Sequence, residues 1–521
     1  MIREANYYAQ LAAGLARWVR EPILPDPDAV IREMVLRREA NFLELMRKAV
    51  FGHPTNPFNA LLRHAGCEQG DLVRLVQSRG LEGTLRALCE SGVYMTHDEF
   101  KGHVPLQRGA LRIDVDSSDL ANPLYKPTLE ASSSGSRSRG TVTRRSLEYQ
   151  VYREAQEHVF LSRHEIGERE QVVTSSVLPA TGGVRRLVTH ARRGRPVTAW
   201  FAMDADRHYR ALTRMALLEL RVLGCDVPFP EYLPPDDFLP VARWLATRKA
   251  SGTLSLVTGT VSPAVRIAAA AIEAGLDISG TLFVVGGEAL TPSKEAIIER
   301  AGAEVHARYT ISEFGQVGFG CRSMKGNCVH ICRDSLAVIH RRRLAPFSEV
   351  EVDSLLFTPL LPFAPTVAIN LEMDDAGKLG EATCGCELSR IGLSQQVDGI
   401  FSYGKLTGQG TSLMAGDVLG ILERSMPERF GGVPSDYQLV EDEGSGQTEI
   451  QLRVNPRLGL SSEDEVKRFF LSHLNQVWGG STTNRLWTQT GSLRVVFAAP
   501  YVTGGRKVHA LHLLGAAKGK R

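Results

Sequence analysis

Between about residues 92 and 403 the chain alternates short apolar runs with amphipathic ones, and no other feature narrows its fold as far. Residues 172–178 and 254–258 read as strands, 264–274 as a helix, 281–285 as a buried strand, 292–301 as a helix and 304–309 as a further strand. Alternation of this kind predicts an α/β domain with a largely parallel sheet. In such folds ligands sit at the carboxyl ends of the strands, so the loops after Val285 and Tyr309 are candidate sites.

The flanks read differently. Residues 1–93 are helical in pattern, with Asp26-Pro27 a good helix start. A single helix from there would carry Val30, Met34, Val35, Phe42, Leu43 and Met46 on one face. Residues 404–521 alternate as strands at 437–440, 449–454, 492–497 and 508–513, with a helix capped by Ser462 running to about Val477. The expected domains are thus a helical segment (1–93), an α/β core (94–403) and a small α+β domain (404–521). A chain of 521 residues is too long for one core. A net charge of +3 gives no footprint for nucleic acid or an anionic membrane surface. The basic runs Arg192, Arg193, Arg195 and Arg341, Arg342, Arg343 read as solvated faces. The first ten residues are polar and no apolar stretch is long enough for a membrane span, so a cytoplasmic protein with reduced cysteines is expected.

Three motifs carry chemistry. The first is Ser132-Ser133-Ser134-Gly135-Ser136-Arg137-Ser138-Arg139-Gly140-Thr141. Small hydroxyl residues and glycines let backbone N–H groups converge on phosphate oxygens, and the arginines add charge. Alone, it reads as readily as a Ser/Arg surface loop. The second is Val284-Val285-Gly286-Gly287-Glu288, a buried strand ending in glycines that admit a flat ring close to the backbone. The third is Tyr309-Thr310-Ile311-Ser312-Glu313: an aromatic to stack on a base, a hydroxyl for phosphate and a carboxylate for Mg²⁺.

In this order and spacing, over roughly residues 92–513, the motifs resemble the adenylate-forming superfamily, and within it the phenylacetate–CoA ligase-like and acyl-protein-synthetase-like branch. The resemblance implies a large α/β N-terminal core with parallel-rich sheets, a small mobile α+β C-terminal domain and, here, an extra helical N-terminal segment. It implies that Ser133, Ser134, Gly135, Ser136, Arg139 and Thr141 hold ATP phosphates and that Gly286, Gly287 and Glu288 form the adenine segment. Arg308, Tyr309 and Thr310 would flank the nucleotide, Ser312 would touch phosphate and Glu313 would bind Mg²⁺. Asp375, with Asp374 as the alternative, would take the ribose hydroxyls. Lys405 would lie at the hinge and Lys507 would reach in during adenylation. Thr258, Gly259 and Thr260 would line the substrate pocket. The sequence departs from the pattern at Ser138, Arg139, Thr310 and Lys405, where the family has Gly, Lys, Gly and Arg. Arg and Lys are not equivalent donors.

Five of the eight cysteines fall between Cys321 and Cys386, together with His330. Thiolates and an imidazole at four corners suit tetrahedral Zn²⁺. The other reading is buried free thiols. The family pattern selects Cys321, His330, Cys384 and Cys386.

The implied reaction is ATP-dependent activation of a carboxylic acid, aryl or fatty by family analogy, to an acyl-adenylate with release of pyrophosphate. Coenzyme A is the expected acyl acceptor. A carrier protein, an amine or a partner reductase is the alternative, as is a nucleotide-binding member of the fold without turnover.

Overall fold

The computed structural model describes residues 2–125, 129–132, 142–162, 169–203, 207–234, 237–287, 290, 292–344, 351–402, 405–408, 411–414, 418, 420–432, 436–442, 449–476, 484, 487–488, 491–501 and 511–514. It opens with helices α1 (Ile2–Arg20), α2 (Pro27–Leu36), α3 (Arg38–Leu45), α4 (Pro57–His64), α5 (Gln69–Glu90) and α6 (His97–Phe100). Asp26 caps α2 by accepting the Ala29 N–H at 3.0 Å, and Pro27 opens the first turn, where its missing N–H leaves no bond unmade.

The single helix expected after Asp26 is instead three pieces: α2, α3 and a π-turn at Met46–Phe51. The break at Arg37 has a packing reason. Val30, Met34 and Val35 lie against one apolar cluster, while Phe42 and Met46 are buried in another. One straight stripe cannot face both. Arg38 turns inward at the break and pairs with Glu82 at 2.6 Å.

The chain continues through β1 (Leu106–Arg108), β2 (Leu111–Ile113), β3 (Leu129–Ser132), β4 (Val142–Arg145) and α7 (Leu147–Ser162). Then come β5 (Glu170–Thr174), α8 (Gly182–Arg192), β6 (Val197–Met203), α9 (Arg207–Val222), β7 (Pro230–Leu233) and α10 (Leu239–Ala250). Alternation goes on with β8 (Ser255–Thr260), α11 (Val261–Glu273), β9 (Leu282–Gly286), α12 (Pro292–Arg300) and β10 (Glu304–Ile311). From there strands follow one another: β11 (Gly315–Phe319), β12 (Val329–Ile331), β13 (Leu336–Leu344), β14 (Glu351–Pro359) and β15 (Leu371–Glu381), then α13 (Glu387–Arg390) and β16 (Gln395–Ser402).

Twelve of these strands form one sheet in the order β13-β14-β15-β16-β12-β11-β10-β9-β8-β5-β6-β7. The half from β10 to β7 is parallel, as strand–helix alternation dictates. Beyond β10 every pairing is antiparallel, because the single helix among these strands, the four-residue α13, is too short to carry the chain back. Residues 175–178, read as strand from their apolar character, lie past the end of β5.

The C-terminal part has a hairpin, β17 (Lys405–Gly408) with β18 (Thr411–Met414), and a second sheet. That sheet orders β21 (Leu493–Phe497), β20 (Glu449–Val454), β19 (Tyr437–Asp442) and β22 (Leu511–Leu514). Its core holds Tyr437, Phe470 and Trp487, and the helix Glu463–Leu474 packs there with Ser462 accepting the Glu465 N–H at 3.2 Å. No helix among the described residues is long and apolar enough to cross a membrane.

Candidate active site

β8, β9 and β10 end in register: Thr260 pairs with Gly286, and Gly286 with Arg308. Three carboxyl ends therefore form one row, the position where α/β sheets bind ligands. The glycines there have a steric cause. A Cβ at Gly286 would collide with the Arg308 carbonyl, and one at Gly259 with the Thr174 hydroxyl. Gly287 has φ +83°, a region open to glycine and strained for other residues. Thr258 is buried, and Thr260 is partly open at the strand end.

β10 turns into β11 through a tight hairpin in which Ile311 pairs with Gly315. The ladder shifts register between Tyr309 and Thr310, a bulge that re-aims the side chains beyond it. Thr310 and Ser312 are exposed and Glu313 is buried. Tyr309 donates its hydroxyl to Asp375 Oδ2 at 2.7 Å, so the third motif and the candidate ribose carboxylate meet directly. Asp374, beside it, has φ +59° and lies 3.5 Å from His97 Nδ1.

Glu313 does not stand alone. Lys101, at the end of α6, places its Nζ 2.9 Å from Glu313 Oε1, and both side chains are at least nine-tenths buried. A positive charge already sits where the family pattern places Mg²⁺. The carboxylate thus fits a cation, and a divalent ion would compete with the ammonium for it. Lys101 was missed in the sequence because the pair spans 212 positions and no local pattern marks it.

The cysteine-rich region converges as well. Cys321 follows β11, His330 lies on β12, and Cys384 and Cys386 lie between β15 and α13. Their donor atoms all fall within 4.8 Å of one another. His330 Nε2 is 3.4 Å from Cys384 Sγ and 3.2 Å from Cys386 Sγ. Its Nδ1 is 2.8 Å from the Leu393 carbonyl, an N–H donation that leaves Nε2 as the metal-binding nitrogen. Burial lowers the His330 pKa, which keeps the imidazole neutral. Burial and the neighbouring thiols push Cys321 up to about 12, a cost that a bound cation would reverse. Cys328 and Cys332 are outside this group.

Two sequence readings are corrected. The basic runs are solvated only in part: Arg195 and Arg342 are exposed, and the other four arginines are not. Arg192 is buried and bonds Glu154 at 2.8 Å, while Arg341 and Arg343 both pair with the fully buried Glu372.

No family model and no curated protein matches the chain. Among solved structures, a 2-hydroxyisobutyryl-CoA ligase in complex with 2-HIB-AMP and CoA is similar over 92% of this chain and 90% of its own, with TM-score 0.56 and 15% identity. The chain has the adenylate-forming fold. PA1221, a protein containing adenylation and PCP domains, is similar over 94% of this chain and 96% of its own at TM-score 0.36 and 12% identity. IdnL1 is similar over 71% and 96% at TM-score 0.32 and 11% identity.

In this adenylate-forming fold the antiparallel pair β3–β4 brackets the Ser/Arg loop, Ser132 facing Val142. The loop residues Ser133, Ser134, Gly135, Ser136, Arg139 and Thr141 lie outside the described residues, as do Glu288, Lys507 and the Lys405 side chain.

Proposed function

We propose that this chain activates a carboxylic acid with ATP and then hands the acyl group to coenzyme A. The observation that carries the proposal is the junction of Tyr309 with Asp375, beside Glu313, at the carboxyl ends of a sheet with the adenylate-forming fold. Support comes also from the similar ligase, which was captured with an acyl-AMP and CoA.

In the first half-reaction a carboxylate oxygen attacks the α-phosphorus of ATP, the bond to the β-phosphate breaks and pyrophosphate leaves. In the second, a thiolate attacks the acyl carbon and AMP departs. Such chemistry is mostly positioning and charge stabilisation. Asp375 would hold the ribose, with Tyr309 fixing its carboxylate, and Ser133 to Thr141 would cradle the phosphates. Glu313 would hold Mg²⁺, which supplies charge neutralisation at the phosphates. Lys507 would stabilise charge on the carboxylate and α-phosphate. The domain boundary near Lys405 would be the hinge. The branch nearest by motif is phenylacetate–CoA ligase-like, and an aryl or fatty acid is the substrate read from that analogy.

Pyrophosphate release across a panel of carboxylic acids tests this. Release with at least one acid is expected, reduced by about three orders of magnitude in Lys507→Ala with ATP affinity kept. ATP binding without pyrophosphate release from any acid would sink it and favour a nucleotide-binding member without turnover.

Cys321, His330, Cys384 and Cys386 are proposed to hold structural Zn²⁺, clipping the chain after Glu313 to the chain after Asp375. Metal analysis should find one zinc per chain, absent from Cys384→Ser. A metal-free wild-type protein with an unchanged melting temperature in chelator would refute the clip.

A further inference from the structure

Arg308 and Tyr309 are neighbours on β10, and alternation sends them to opposite faces. Tyr309 reaches Asp375. Arg308 reaches Glu157 on α7, its Nη1 donating to Glu157 Oε1 at 3.0 Å, and its Nε donates to Gln316 Oε1 on β11 at 2.9 Å. Around that point four more arginines gather: Arg145 at the end of β4, Arg153 on α7, and Arg185 and Arg186 on α8. Each acts electrostatically on others of the group. Glu157 is the carboxylate that acts on Arg185 and Arg186, and it lies 3.7 Å from Arg185 and 3.0 Å from Arg308. Arg153 and Arg308 are each 5% exposed, so water offers them little screening.

Five guanidinium groups, those of Arg153 and Arg308 buried and those of Arg145, Arg185 and Arg186 half-buried, gather round Glu157, an unbalanced cluster. A buried charge is tolerated when it is paired and hydrogen-bonded. Here the Nε atoms of Arg145, Arg153 and Arg186 are buried without a hydrogen-bond partner, and so is His190 Nε2 on α8. Burial first, then neighbouring positive charge, lowers Arg145 to about 10 and Arg186 to about 10. Arg153 leans over the start of β11, its guanidinium filling the space a Cβ at Gly315 would need. Arg308, a member of this cluster, also ends the row Thr260–Gly286–Arg308, which begins at the substrate pocket expected around Thr258, Gly259 and Thr260.

We infer that the arginine cluster binds an oxyanion carried by the far end of the acid substrate, so that the substrate is a carboxylic acid bearing a second carboxylate, phosphate or sulfate group. This rests on the acid-activating function proposed above. Guanidinium forks match such oxyanions bidentately, and several donors already converge. The nucleotide's own phosphates are the other source of this chemistry. They are disfavoured because Arg308 faces away from the Tyr309–Asp375 side, where the ribose is proposed to lie.

The test separates these. Millimolar inorganic phosphate, against chloride at matched ionic strength, should raise the melting temperature of the full chain by several degrees and saturably. Arg153→Gln and Arg186→Gln should each abolish that rise while keeping the full rise produced by ATP. Because each removes unbalanced positive charge, both variants should melt at or above the wild type without ligand, which a merely structural arginine would not do. In pyrophosphate release, a dicarboxylic acid should exceed its monomethyl ester at least tenfold in kcat/KM, and Arg153→Gln should bring that ratio near one. No phosphate stabilisation, equal stabilisation of wild type and variants, or loss of the ATP response would each overturn the assignment. Pyrophosphate release from no acid at all, with the phosphate effect intact, would instead refute the acid-activating function and leave an anion site of another purpose.

Discussion

The two faces of β10 handle charge in opposite ways. Near Tyr309 the acidic groups have counterparts: Asp375 takes the Tyr309 hydroxyl, Glu313 takes Lys101 and Asp374 faces His97. On the Arg308 face cations outnumber the carboxylate that serves them. The first arrangement is self-satisfied and needs a competing ion to open it. The second is incomplete without an anion. A site poised for a cationic cofactor and a site poised for an anionic ligand are thus set on either side of one strand, separated by a single residue step.

Breaking the balanced face should have the largest effect. Lys101→Met breaks a buried ion pair at Glu313, and should cost about 4 kcal/mol of stability. Added Mg²⁺ should recover more of the melting temperature in that variant than in the wild type. Equal melting of the two proteins would show that the pair is not coupled to the fold.

The unbalanced face should show itself through pH. Burial, with Arg186, Arg308 and Arg185 nearby and opposed by Glu157, lowers His190 to about 4. The unfolded chain therefore takes up the proton first, near pH 6.5. The neutral imidazole contributes fully above that pH. Stability should fall as pH drops from about 6.5 to about 4, by up to about 3 kcal/mol. His190→Gln should flatten that part of the curve. A wild-type melting temperature constant across the window would contradict the buried, neutral assignment.

The smallest effect sharpens the contrast at the strand itself. Tyr309→Phe keeps the ring and removes one bond to Asp375, at a cost of about 1.5 kcal/mol in chemical unfolding. A loss as large as that of Lys101→Met would mean that the hydroxyl organises more than one carboxylate.

Much of the fold was legible because its signals are local. Strand–helix alternation up to β10, the glycine pair at the end of β9 and the proline-led start of α2 each depend on residues close in sequence. The four clustered thiol and imidazole donors came from the family pattern, since residue chemistry alone left Cys328 and Cys332 equally open. What escaped depends on distant partners. Lys101 looks like any surface lysine until it meets Glu313. Arg192 and Arg341 sit in basic runs that composition assigns to solvent, yet their carboxylates, Glu154 and Glu372, wait inside. The break between α2 and α3 escaped for a related reason: periodicity marks an apolar face without saying how many cores it must serve.

Asn370 has φ +54° at the entrance to β15, and its side-chain amide donates to the carbonyls of Leu85 at 2.8 Å and Val93 at 3.1 Å. Five residues later the same strand presents Asp375. The leading helices are therefore anchorage for the strand that carries Asp375, the proposed ribose carboxylate. Trimming the gene to the part that looks like a minimal enzyme would unmoor that strand, so any search for a shorter working version should begin its deletions elsewhere.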